Sequence, residues 1–282
     1  MWKEEFRIGN EIIDEQHRSL FAKTDELINL FRKSGVTNKQ ECIDMVLFLK
    51  NYAARHFAEE EAYQKSLEAP NYEEHKQEHQ EFLKTVLIHE QKMIETDFSH
   101  TEVQNFIATL LTWLLHHVAG SDQQIGQVVA AKDVSHKNHV DLVRFSISEV
   151  LNHVAGIEKN TIMVTSTQED KLNDDDIIIR LEFVGEIAGG ITFIFPRVFA
   201  QNLVYAMIRF VPKVIDEFEK SVLFEVLNLI GGVICNRFSK DEGKICEIEQ
   251  IAIANRDKNS KAETLTLDTG IGIIEADISL DV

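Results

Sequence analysis

The placement of histidine constrains this chain more than any other feature. Nine of the 11 histidines precede residue 138, and His56 with Glu60, like His75 with His79, stand four residues apart. On a helix that spacing sets each pair on one face, one turn apart. His117 and Asp122 are five apart, near enough to reach one internal site, and His17 lies in the first predicted helix.

The apolar residues of the same region keep a helical period, as in Ile13, Leu20, Phe21, Leu27, Ile28 and Phe31. Breaks fall at Lys33 to Lys39, Leu67 to Asn71 and Thr96 to Thr101. Four helices with short connections predict an all-α up-and-down bundle over residues 1–126. Each helix supplies at least one imidazole or carboxylate to its interior. Together they offer His17, His56, Glu60, His75, His79, His117 and Asp122. Seven ligands exceed what one tetrahedral zinc ion uses. Two metal ions sharing bridging carboxylates use them naturally, and mixed imidazole and carboxylate ligation suits iron. A single helical histidine is ordinarily a surface or core residue, so the argument rests on seven in register. His89, His100, His116, His136, His139 and His153 show no such pattern.

The stretches IIDEQHRSLF, YAARHFAEEE, YEEHKQEHQEF and WLLHHVAGSD carry these seven residues. With them, residues 1 to about 126 resemble the bacterial hemerythrin family. The resemblance implies a non-haem di-iron centre with dioxygen as ligand. By position, His75, His79 and His117 would hold one iron, His17 and His56 the other, and Glu60 and Asp122 would bridge. Trp113 and Leu114 match positions lining the family's apolar ligand pocket. Gln64 stands where bacterial members usually carry Met.

After the bundle the pattern changes. Residues 127–139 read as a polar connector, and from Ile177 the runs IIIRLEFV and ITFIFP flank GEIAGG, which is a hairpin signal. Glu217 to Arg237 returns to helical spacing, and TLTLDTGIGIIEADISL reads as a further pair of strands. Residues 140–282 are therefore expected to form an α+β domain. At 282 residues the chain suits two domains of about 100 to 200 residues each.

Two nine-residue pieces of this second part match at an offset of 76: SEVLNHVAG from Ser148 and FEVLNLIGG from Phe224. Related halves are the implied construction. Each piece sets Glu and Asn three apart on one helical face, Glu149 with Asn152 and Glu225 with Asn228, a spacing that by itself ordinarily means a solvated helix. The wider pattern Ser221-x3-Glu225-x2-Asn228, with the hairpin between the two helices, resembles the CheC/CheX/FliY chemotaxis phosphatases. That resemblance implies hydrolysis of the aspartyl phosphate of a CheY-like response regulator. Asn228 would orient the attacking water and Glu225 would contact the regulator's lysine, while Mg2+ would enter only with the regulator. A carboxamide suits the task because it donates and accepts hydrogen bonds together. At the first copy Phe145 replaces the expected Ser or Asp, so Glu149 and Asn152 are a second candidate pair. Near Ile251 the family's usual proline is missing.

The charge balance excludes other classes. There are 29 Lys+Arg against 47 Asp+Glu, a net −18, with 13 − 22 = −9 in residues 1–126 and 16 − 25 = −9 in the rest. Such a surface repels phosphate backbones and anionic lipid, so neither nucleic acid nor membrane is an expected partner. The N-terminal MWKEEFRIGN has no apolar core of a signal peptide, and Cys42, Cys235 and Cys246 form no CxxC pair, so a reducing cytoplasm is expected. Exposed edges of a small sheet would permit a homodimer. The expected function is an oxygen- or redox-sensing di-iron protein that dephosphorylates a CheY-like regulator. The alternative is a di-iron oxygen store or scavenger whose second domain binds the regulator without catalysis.

Overall fold

The computed structural model describes residues 1–34, 39–125, 138–158, 162–165, 175–208, 217–255 and 262–281. The chain divides into two compact units, Met1–Ala131 and Lys132–Val282. The expected connector, 127–139, lies outside the described residues except for Asn138 and His139.

The first unit holds four long helices, α1 (Glu11–Ser34), α2 (Lys39–Ser66), α3 (Tyr72–Glu95) and α4 (His100–His116). Their limits follow the breaks in hydrophobic period. Ser99 caps α4 by accepting a hydrogen bond from the Glu102 amide, which satisfies one of the orphan donors of the first turn. Helix α4 is the most apolar of the four, and Val103, Phe106, Ile107, Leu110, Leu111, Leu114 and Leu115 are all buried. Phe21, Leu49 and Phe106 are among the large side chains closed off from water. Truncating such a phenylalanine costs about 3–5 kcal/mol through lost contacts and a residual cavity.

The α-helical ladder of α4 changes after His116. Residues His117–Ser121 form a single π-turn, closed by a hydrogen bond from the Asp122 amide to the His117 carbonyl. An α-helix would carry Asp122 about 140° round the axis from His117. The i to i+5 ladder brings the two onto one face, and such turns recur at functional sites.

The second unit contains α5 (His139–Ala155), α6 (Arg197–Ile208) and α7 (Glu217–Glu242). Its strands are β1 (Met163–Val164), β2 (Ile177–Gly185), β3 (Ala188–Phe195), β4 (Cys246–Ile253), β5 (Glu263–Asp268) and β6 (Ile273–Asp281). They form one antiparallel sheet in the order β1-β5-β6-β3-β2-β4. Central β3 buries Ile191, Phe193, Ile194 and Phe195.

The order reproduces itself, reversed, when β1, β2 and β3 are exchanged with β4, β5 and β6. The unit is therefore two matching halves, α5 with β1–β3 and α7 with β4–β6, as the SEVLNHVAG and FEVLNLIGG pieces imply. Helix α7 packs on β2 and β4. Gly231 lets it approach closely, because a Cβ there would stand 2.7 Å from Cδ1 of Ile248. Among the described residues no helix is long and apolar enough to cross a membrane.

Candidate functional site

All seven ligand candidates converge inside the bundle, and none is more than 2% exposed. Helix α1 brings His17, α2 brings His56 and Glu60, α3 brings His75 and His79, and the π-turn and the residue after it bring His117 and Asp122. Each Nε2 faces the centre. Glu60 Oε2 lies 3.2 Å from His75 Nε2 and 3.1 Å from His79 Nε2, and Glu60 Oε1 lies 3.7 Å from His17 Nε2. Asp122 Oδ1 stands 3.1 Å from His117 Nε2, and its Oδ2 stands 3.2 Å from His17 Nε2. Two imidazole pairs also meet through Nε2, His17 with His56 at 3.2 Å and His79 with His117 at 3.0 Å.

These atoms form two overlapping groups with a common member. Glu60, His75, His79 and His117 make one, and His17, His56 and Glu60 the other, with ligand atoms in each within 4.8 Å of one another. Asp122 reaches into both. The outer nitrogens of three rings are engaged: His56 Nδ1 with Gln16 Oε1 at 2.8 Å, His79 Nδ1 with Glu61 at 3.4 Å, and His117 Nδ1 with Glu78 at 3.0 Å. An Nδ1–H donated outward leaves Nε2 with its lone pair directed at the centre.

Electrostatics favour the same protonation states. Burial pushes His117 down to about 3, and burial likewise holds His17 and His56 below the usual imidazole range. Burial opposes ionisation of Glu60, but its close contacts with His75 and His79, with His56 and His17 beside them, together outweigh it and hold Glu60 well below the carboxylate range. Burial, then the charges of Glu60 and Glu78, raise Asp122. Burial is the largest single influence on Glu78 and opposes ionisation, but the bond to His117, the charges of His117 and His75 and a bond from Ser121 together outweigh it and hold Glu78 at about 2.

The donors fit a metal pair on a further ground. Glu60 Oε1, both oxygens of Asp122 and Nδ1 of His17 and His75 are buried without a hydrogen-bond partner. Orphaned buried carboxylate oxygens are costly, and cations at the centre would satisfy them.

The apolar surround is aromatic. Trp113 stacks on Phe82 at 3.7 Å between centroids and on His117 at 4.3 Å, and Phe57 stacks on His79 at 3.8 Å. Leu114 is wholly buried. Gln64, one turn beyond Glu60, is also wholly buried, and neither polar atom of its side chain has a hydrogen-bond partner. Gln16, Glu61 and Glu78 are not evident from sequence periodicity. Gln16 and Glu78 immediately precede His17 and His79, and Glu61 follows Glu60, which is the only local signal of them.

In the second unit the two Glu/Asn pairs differ. Glu149 pairs with Arg237 of α7, and Asn152 Nδ2 donates to the Ile157 carbonyl at 3.0 Å, just past the C-terminus of its own helix. Asn228 is exposed, and its carboxamide makes no side-chain bond to another described residue. Glu225 is half-buried beside it on α7.

A four-helix bundle enclosing histidines and carboxylates in two overlapping groups defines a metal-binding module. Residues 8–129 match the Hemerythrin HHE cation binding domain. Bacteriohemerythrin of Clostridium acetobutylicum is 33% identical over 125 residues, spanning 44% of this chain and 96% of that protein. Bacteriohemerythrin of Stenotrophomonas maltophilia is 26% identical over 133 residues, 46% of this chain and 82% of that protein. Through its first unit the chain belongs to the hemerythrin family, which implies a non-haem di-iron centre.

Among solved structures, the chain is similar to a CheC-like superfamily protein from Shewanella sp. PV-4, at 17% identity and a TM-score of 0.44 over 52% of this chain and 99% of that one. It is also similar to the CheX of the Borrelia burgdorferi CheX–CheY–BeF3–Mg2+ complex, at 18% identity and a TM-score of 0.40 over 52% and 100%.

Proposed function

We propose that the protein is a di-iron sensor of dioxygen or redox state whose second unit dephosphorylates a phosphorylated CheY-like response regulator. The observation that carries the reading is the covalent union of a closed His/carboxylate centre with a helix that displays Asn228 to solvent. His75, His79 and His117 would hold one iron, His17 and His56 the other, with Glu60 and Asp122 shared. Bound there, the iron pair supplies redox chemistry toward dioxygen. The protein's own part is to orient the imidazoles through Gln16, Glu61 and Glu78, and to exclude water with Leu114, Trp113, Phe57 and Phe82.

At the second unit the exposed Asn228 carboxamide positions water in line with an acyl phosphate, and Glu225 contacts the regulator's lysine. An acyl phosphate is labile and the regulator brings its own Mg2+, so positioning is what the helix has to add. Asn152 already holds the end of α5 through the Ile157 carbonyl, whereas Asn228 is exposed, which favours Asn228 as the working asparagine. For the first unit to regulate the second, its ligand must bind two states of the whole chain with different affinity.

The test is the decay of a phosphorylated CheY-like protein from the same genome, with the iron-loaded protein first reduced under argon and then oxygenated. Acceleration that is lost in Asn228→Ala and that changes with oxygen is expected. Decay at the spontaneous rate in every state would sink the phosphatase reading and leave the oxygen store with a regulator-binding domain. Acceleration indifferent to oxygen would sink the sensor.

A further inference from the structure

Cys235 on α7 and Cys246 at the start of β4 belong to different elements, yet their Sγ atoms lie 2.7 Å apart. Both are half-buried free thiols, whereas Cys42 is buried in the first unit.

The backbone on either side fixes this approach. Helix α7 ends on Gly243, at φ +68°. The Gly243 amide donates to the Ser239 carbonyl at 3.1 Å and the Lys244 amide to the Phe238 carbonyl at 3.3 Å. This left-handed cap reverses the chain within a few residues and returns it along the helix. Ile245 is then bonded to the turn between β2 and β3. Its carbonyl accepts from the Glu186 and Ile187 amides at 2.8 and 3.1 Å, and its amide donates to Glu186 Oε2 at 3.0 Å. Cys246 follows at once, opposite Gly185. The close packing of Gly231 against Ile248 holds the helix to the strand.

We infer that Cys235 and Cys246 form a redox-active dithiol, which small hydroperoxides oxidise to an intramolecular disulfide joining α7 to β4. The roles of the sulfurs are unequal. A hydrogen bond from the Cys235 thiol lowers Cys246 toward the thiolate, and the same bond raises Cys235. The Cys246 thiolate attacks the terminal peroxide oxygen; an S–O bond forms, the O–O bond breaks, and the departing oxygen takes up a proton as water or alcohol. The Cys235 sulfur then attacks the sulfenic acid of Cys246; the S–S bond forms, the S–O bond breaks, and the oxygen leaves with the thiol proton as water. Two thiols and one hydroperoxide thus give one disulfide, one water and one water or alcohol, with two electrons passed to the peroxide.

Cys235 lies seven residues beyond Asn228, two turns along the same helix. Oxidation would therefore pin the helix that carries the proposed phosphatase site, a consequence that rests on that reading as the disulfide itself does not.

The experiment uses the full-length, iron-loaded protein treated with hydrogen peroxide, alkylated, and digested with trypsin without reduction. Cleavage after Arg237 and Lys244 separates the two cysteines, so only a disulfide can join the peptide ending at Arg237 to the one beginning at Ile245. The expected result is loss of two of the three thiols, with these two peptides linked within one chain, Cys42 still alkylated, and full recovery on reduction. The Cys42→Ser variant should give the same linked pair. Peptides that remain separate and alkylated, or a disulfide that involves Cys42 or joins two chains, would overturn the inference. None of these readouts depends on a regulator, so failure here is separable from failure of the phosphatase reading.

Discussion

Glu78 Oε2 lies 3.0 Å from Nδ1 of His117 and turns that ring so that Nε2 faces Asp122 and His79. Removing the carboxylate frees the ring to rotate and to change tautomer. Glu78→Ala should weaken retention of iron by about 10- to 100-fold, the usual cost of losing a partner behind a ligand. Competition against a chelator, read as iron per chain, measures it; retention equal to that of the unaltered protein would remove Glu78 from the orienting role.

Gln64 places two unpartnered polar atoms in the bundle interior. Met has similar length and nothing to desolvate, so Gln64→Met should stabilise the metal-free bundle by about 1–2 kcal/mol. Urea unfolding followed by circular dichroism checks the sign. A loss of stability would mean that the carboxamide has a partner in solution.

His89 adds a dependence on pH. Burial lowers it to about 4, with Lys92 acting in the same direction, and its Nε2 lies 3.1 Å from Thr109 Oγ1. The unfolded chain takes up this proton near pH 6.5. The folded-state value is depressed, so the neutral ring's contribution is complete above pH 6.5 and declines as pH falls through about 4. Relative to His89→Gln, the unaltered protein should lose on the order of 2 kcal/mol between pH 7 and pH 4, after allowance for partial exposure. Parallel unfolding free energies for the two proteins across that range would count against it.

The two asparagines of the second unit should separate cleanly on substitution. Asn152→Ala removes a hydrogen bond to the Ile157 carbonyl and should cost about 1 kcal/mol of stability, with regulator dephosphorylation unchanged. Asn228→Ala should leave the melting temperature within about 2 °C, since exposed positions rarely contribute more, and abolish the acceleration. The reverse pattern would move the proposed site to α5.

What could be read from sequence was whatever has a local period. The ends of α1 to α4 follow the apolar spacing, and the hairpin of β2 and β3 follows its Gly-rich turn between β-branched runs. Helix α6 does carry a helical period, burying Phe199, Ala200, Leu203, Val204, Met207 and Ile208. Its outer face is only weakly polar, with exposed Val198 and Tyr205 beside Gln201 and Asn202, so RVFAQNLVYAMI does not stand out as a helix. Strand β4 lies at the sheet edge, where CEIEQIAI is partly exposed and charged, so it does not look like core. His56 with Glu60 and His75 with His79 were legible because helical spacing converts sequence directly into a shared face, whereas Asp122 joins His117 only through a π-turn that the spacing does not announce. Gln16, Glu61 and Glu78 act across helices, and Cys235 meets Cys246 only through a cap and a turn. No periodicity records such meetings.

The π-turn at His117–Ser121 makes the length of the fourth helix part of the ligand set. Because the wider turn absorbs one extra residue, a spacing of four in a plain α-helix would keep Asp122 on the face of His117, whereas one residue more would carry it about 240° round the axis. After such an insertion all seven side chains would survive in the sequence, and a motif search would still find them, yet Asp122 would be turned off the cluster. In this bundle the count of residues between the site residues matters as much as the residues themselves, and lengthening by insertion in those five positions is closed to it.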